Sequence, residues 1–383
     1  MKPTKLLFLG LAALTAGTPS VPAPEIFTYP NELSAGPVNA QFHVTPDTAY
    51  LPLDHPRVSP RPNQTSFDWW WFSAYNPANL NESLVVKFYL ATNASFPLRA
   101  TTTDAVSVDV FVGFADGSAA PVMIEAKPAD FTPKGQAVVN VEPRPAGGRV
   151  AGDWQTTGLT FREVDDGFEV RVDAGWMGLT GSMKLKTLAP PRLPCTASTH
   201  QPNAPLSMLP HVGWINTVPD ASASVSLALN TRSTNKQLNF SSGIGYHDQK
   251  WGDAPFHSSV RSWYWGTARF GPYSLVYLQS TSHSDTTYSS VHLARDGREV
   301  FTKCQEDSRA PEGDCDALQV LSNEERTTLR IAMGDCSDLL VSIEKTRELV
   351  EYGSVGRWTG VLEAIVAEEV KFEGTAMMQE FHF

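Results

Sequence analysis

Apolar residues recur at every second position through much of this chain. Segments 107–113 (SVDVFVG), 168–173 (FEVRVD) and 183–187 (MKLKT) show the alternation, and it returns at 225–229, 328–332 and 339–343. A period of two places one face of a strand against a core and the other toward solvent. Long amphipathic helical patterns are nearly absent. The stretch 359–370 (TGVLEAIVAEEV) suits a helix, but its β-branched residues also suit a strand ending at Lys371.

The alternation lapses between 188 and 210, where LAPPRLPCTASTHQPNAPLSMLP is rich in proline. Proline removes a ladder donor and fixes φ, so this stretch reads as a covering linker. The strands then fall into two groups, 24–187 and 211–383. The expected fold is all-β: two domains of β-sandwich or barrel type with a substrate cleft between them.

Residues 1–23 begin with Lys2 and Lys5 ahead of an apolar run and small residues, the layout of a secretory signal peptide. The apolar run is shorter than the ~20 residues that span a bilayer, so no stable membrane span is expected. Four glycosylation sequons, at Asn63, Asn81, Asn93 and Asn239, agree with a secretory route. So do four cysteines. Cys304 and Cys315 bracket a polar turn and are expected to pair, which leaves Cys195 for Cys336.

The formal net charge is −11, and lysines and arginines are not clustered, which argues against a nucleic-acid partner. Motifs for serine hydrolysis, zinc peptidases, dinucleotides and phosphate loops are missing. His211, His257 and His283 lack ligand spacing, and Asp165–Asp166 sits in an expected turn before Gly167. Neither a metal nor another cofactor is expected.

Three stretches concentrate rings: 67–75 (FDWWWFSAY), 244–253 (IGYHDQKWGD) and 261–266 (RSWYWG). In strand geometry Trp69 and Trp71 share one face and Asp68, Trp70 and Phe72 the other, while Trp263 and Trp265 point together opposite Tyr264. Three adjacent tryptophans are hard to bury on both faces of one small sheet, so a ring-lined cavity is expected. The pair His247–Asp248 has two readings: a turn anchored by Asp248 and Trp251, or a proton-transfer group at the cavity mouth.

The ordered set FDWWWFSAY, GIGYHDQKWGD, RSWYWGTARFG and FEGTAMMQEF resembles the carotenoid-hydratase-like, lipocalin-like superfamily, and within it the fungal Diels-Alderases. The hydratase pattern has a histidine where this chain has Gln249, and a Tyr-x-Asp where it has Tyr277-Leu-Gln279. Acid-driven hydration is therefore disfavoured.

The resemblance implies a cofactor-independent intramolecular Diels–Alder cycloaddition. The substrate would be a linear polyene joined to a pyrrolinone or tetramate, closed to an isoindolone of cytochalasan type or a decalin. Such a substrate links the enzyme functionally to a polyketide synthase–peptide synthetase hybrid. Candidate donors to the substrate carbonyl are His247, Tyr246, Tyr264 and Lys371. Candidate walls are Trp69, Trp71, Trp251, Trp263, Trp265, Tyr277 and Trp358. The rival expectations are a lipocalin-like carrier and an isoprenoid hydratase or isomerase.

Overall fold

The computed structural model describes residues 21–45, 50–96, 104–127, 132–144, 148–196, 201, 203–307, 318–333, 338–366 and 370–383. Residues 1–20 of the expected leader, Cys315 and Cys336 lie outside them. The described residues are almost wholly strand, in two curled antiparallel sheets of 13 and nine strands.

The first sheet closes around an apolar interior built from one face of its strands. Trp70, Phe72, Val86 and Phe88 point there and meet Trp154, Phe161 and Phe168. The second sheet runs from Ser262–Phe270 to Val370–His382 and has its own interior around Leu275, Tyr277, Val341 and Met378. Its first hairpin turns at Gly271, whose φ of +51° costs a residue without Cβ little. A third apolar layer, containing Trp69, Trp71, Tyr246, Trp263 and Trp265, lies between the sheets.

This layering explains the tryptophan triplet. The Phe67–Asn76 strand is buried along nearly its whole length because both of its faces are covered. Trp70 belongs to the interior of the first sheet, Trp69 and Trp71 to the layer between sheets. The second sheet covers the face of the triplet that the first sheet alone would leave open.

Three sequence expectations need correction. First, the first sheet does not end at the proline-rich stretch. Val212–Asn230 and Asn235–Gly252 both pair within it, and the second sheet starts only at Ser262. Second, IGYHDQKWGD is not a turn. Asp248 lies inside the Asn235–Gly252 strand, in register with Trp71.

Third, Cys304 pairs with Cys195, not Cys315, so the Cys195–Cys336 pairing falls as well. The physical reason is the docking of the 188–196 segment. Arg192 donates to Ser290 Oγ at 2.6 Å, and Ser290 donates to the Pro194 carbonyl at 2.5 Å. Ser290 is the cross-strand partner of Cys304, so Cys195 arrives beside it.

Of the sequons, Asn239 is exposed on its strand, while Asn63, Asn81 and Asn93 are half-buried. Asn63 Oδ1 accepts from the backbone of Thr65 and Ser66. Among the described residues no helix is long and apolar enough to cross a membrane.

Candidate active site in the cleft between the sheets

A cleft of about 620 Å3 opens between the two sheets. Lys87, Asp109 and Phe111 line it from the first sheet; Arg357, Gln379 and Phe381 line it from the second. A small adjoining recess of about 20 Å3 is walled by Trp69, Trp71, Trp263 and Trp265, and shares Lys87 and Gln379 with the cleft.

Register places the polar groups. Across the first sheet Asp248, Trp71, Lys87 and Asp109 are successive cross-strand neighbours, so all four project from one face. In the second sheet Trp265, Gln379 and Arg357 form an equivalent row. The two rows face each other across the cleft, and Trp71 meets Trp265 edge-on at 5.3 Å.

Three cations gather on the Trp71 indole. Arg357 lies 4.6 Å from the ring centroid, Lys87 5.3 Å and Lys250 5.7 Å. Arg357 is also 4.8 Å from Phe111, and Lys250 is 5.6 Å from Trp265. Desolvated cation–π contacts of this kind are worth roughly 2 kcal/mol each.

Their polar partners differ. Lys250 donates to Asp248 Oδ2 at 2.5 Å. Lys87 donates to Tyr89 Oη at 3.0 Å and stands 3.7 Å from Asp109. Arg357 donates through Nε and one Nη to the Gln379 amide oxygen, at 3.1 Å each. Burial lowers the Arg357 guanidinium to about 10, so it stays charged at neutral pH. Burial also pulls the Lys250 ammonium below its ordinary value, with Asp248 opposing.

This arrangement supplies buried cationic donors at the end of a largely apolar cleft. Such donors stabilise negative charge that grows on a substrate oxygen, and they do so more strongly than in water.

Several residues expected at the site lie elsewhere; strand parity explains those that face a sheet interior, and position along the strand explains Lys371. His247, one residue out of phase with Asp248, points into the interior of the first sheet. It stacks on Phe72 at 3.9 Å, its Nδ1 is 2.9 Å from the Trp71 carbonyl, and its Nε2 is 2.9 Å from Asp54 Oδ2. Gln249 shares that side, donating to Asp68 Oδ1 at 2.8 Å, where burial pushes the Asp68 carboxyl up to about 7. Trp251 sits under the N-terminal segment and donates to the Gln41 carbonyl at 2.8 Å.

In the second sheet Tyr264, Tyr277 and Trp358 face that sheet's own interior, not the cleft. Tyr277 lies over Gly266, where a Cβ would meet its ring at 2.5 Å. Lys371 is exposed near the start of the last strand and pairs with Ile365, away from the cleft. Tyr246 does lie between the sheets, but its hydroxyl donates to Asp248 Oδ2 at 2.7 Å. Of the expected walls, the structure brings Trp69, Trp71, Trp263 and Trp265 together.

Replacing His247 by Ala should therefore act on the fold. Leaving Asp54 buried without its partner is expected to cost about 3 kcal/mol or more of unfolding free energy. Ligand affinity of the folded fraction should stay within about twofold. Urea unfolding and fluorescence titration of the same variant separate the two effects, and unchanged stability with lost affinity would return His247 to the site.

Residues 35–320, more than half of the sequence, match the Diels-Alderase-like family. The chain belongs to that family. Two curated relatives are called quinolone epoxide rearrangement proteins. AsqO of Emericella nidulans is 32% identical over 261 residues, which cover 67% of this chain and 65% of that protein. PenF of Penicillium thymicola is 27% identical over 341 residues, covering 86% and 89%. Among solved structures, CghA with Sch210972 superposes with a TM-score of 0.72 at 17% identity, covering 94% of this chain and 99% of that one. At that identity the likeness shows the Diels-Alderase-like chain's fold.

Lys87, Asp109, Arg357 and Gln379 were not among the residues singled out from sequence. The first two carried a signal: each is a lone charge inside an apolar strand, in LVVKFYL and VSVDVFVG. Such a charge marks either a solvent face or a second buried layer, and only the presence of the second sheet decides between them.

Proposed function

We propose that this member of the Diels-Alderase-like family is an enzyme of secondary metabolism that isomerises a hydrophobic small molecule, and that its substrate is a quinolone epoxide. The carrying observation is the set of buried cations on the Trp71 ring at the end of an apolar cleft. The names of the two relatives supply the substrate class.

Opening an epoxide breaks a C–O bond, and negative charge collects on the oxygen as positive charge collects on carbon. An N–H donor from Lys87 or Arg357 aimed at that oxygen lowers the barrier. The rings of Trp71 and Trp265 wall the reacting carbon off from water, so that a group within the substrate migrates or closes a ring as the C–O bond breaks. The reaction is a rearrangement, with the same atoms in substrate and product, so it draws on no external oxidant or reductant.

The family match and the shared fold favour a second reading, the intramolecular Diels–Alder closure of a polyene pyrrolinone or tetramate made by a polyketide synthase–peptide synthetase hybrid. It would use the same donors on the carbonyl conjugated with the dienophile, where electron density also rises in the transition state. Separate incubations with a quinolone epoxide and with a linear polyene tetramate distinguish the two. The expected result is an isomer of unchanged mass forming from the epoxide faster than in buffer, with the polyene product ratio unaltered. An altered polyene ratio with an untouched epoxide would install the second reading. Binding of either compound without turnover would leave a carrier.

A further inference from the structure

Arg357 is 1% exposed, yet among the described residues it has no carboxylate within ion-pair distance. Its partner is a neutral amide, Gln379, and its Nη1 is left without any hydrogen bond. Lys250 has Asp248 and Lys87 has Asp109, so the described charges around Trp71 number three cations against two carboxylates. A buried guanidinium without a paired carboxylate is costly, and Asp109, the carboxylate that acts on Arg357, is already shared with Lys87. Arg357 lines the cleft, so an anionic occupant would supply the pairing it lacks.

The contrast with the rest of the chain sharpens the point. The protein carries a net charge of −11, and Glu348 and Glu351 also line the cleft, so the excess of cations is local to Trp71. Phe111 and Trp71 hold the guanidinium between their rings, and Gln379 fixes its plane through two bonds to one oxygen. A planar fork held in this way suits a flat, conjugated oxygen acid better than a point charge.

We propose that the cleft takes the head of its substrate as an anion, an ionised ring enol conjugated with a carbonyl, and that Arg357 sets this preference. The inference rests on the reading of this cleft as the substrate site and adds the ionisation state of what enters. Hydroxyquinolinones and tetramates both carry such an enol, so a chemically stable probe of either kind serves.

Tryptophan fluorescence of the full chain, titrated with a hydroxyquinolinone above the pH of its own ionisation and with its neutral O-methyl ether, tests the inference. The enolate is expected to bind about tenfold tighter or more, a difference of about 1.4 kcal/mol. Arg357→Gln should bring the two ligands level, while Arg357→Lys, which keeps the charge and loses the fork, should retain part of the preference. Circular dichroism confirms the fold of each variant. Should Arg357→Gln fail to fold, the wild-type pair of affinities and Arg357→Lys still decide.

Equal affinities in the wild type, no saturable binding of the enolate, or a preference that survives Arg357→Gln would overturn the inference. The titration reads no turnover. A cleft that prefers the enolate but leaves a quinolone epoxide unchanged therefore sinks the rearrangement and leaves this inference standing.

Discussion

Asp248→Ala is expected to lower the unfolding free energy by about 3–5 kcal/mol, the range for removing one member of a buried ion pair. One oxygen, Oδ2, accepts from Lys250 at 2.5 Å, from Tyr246 at 2.7 Å and from Trp214 Nε1 at 2.9 Å. All four residues are buried, so alanine strands three donors at once, one of them cationic. Burial, reinforced by Asp248, already holds the Tyr246 hydroxyl well above its usual range, so the phenol remains a neutral donor and gives the ammonium no substitute charge. Asp248→Asn keeps the oxygen and should lose less. The double variant Asp248→Leu with Lys250→Met removes both charges and should recover most of the loss. Urea unfolding at constant slope measures all three. A loss below about 1 kcal/mol for Asp248→Ala would show that the network contributes little to the stability of the fold.

Lys87→Met should cut kcat/KM by about 10²–10³, the usual effect of losing one donor to a developing oxyanion. The side chain is nearly isosteric, and the methionine keeps its packing against Phe111 and Trp71. Its removal leaves Asp109 short of a cation, so the single variant carries a cost in stability as well. Lys87→Met combined with Asp109→Leu removes that cost and should leave the catalytic loss in place. Single-turnover rates on the quinolone epoxide, read beside unfolding curves, separate chemistry from folding. If the double variant regains full rate, the cation serves the fold alone.

Much of this architecture was legible because strand periodicity is a local property. The alternation gave the strands, and it placed Trp69 and Trp71 on one face with Trp70 and Phe72 on the other, as the two core layers show. The same rule applied to 244–253 separates Tyr246, Asp248 and Lys250 from His247, Gln249 and Trp251. What it does not supply is the side on which a second sheet lies. The histidine, the residue type with the most versatile chemistry, drew attention to the wrong parity.

Arg357 and Gln379 were harder to find. They meet because two antiparallel strands pair in one register, and neither residue stands in a ring-rich motif. The cysteines failed for a related reason. Nearness along the chain favoured Cys315, while docking through Ser290 and Arg192 brought Cys195 from a separation of 109 residues.

The second half of the Asn235–Gly252 strand, buried from residue 243 onward, has a practical consequence for remodelling the protein. Substrate range can be explored with a combinatorial library confined to the cleft-facing parity of this strand and its neighbours, Val85, Lys87 and Tyr89 among them, while the opposite parity stays fixed. Lineages diversifying this scaffold meet the same constraint, so substitutions between relatives are expected to accumulate at alternate positions, a pattern that sequencing of a selected library would reveal directly.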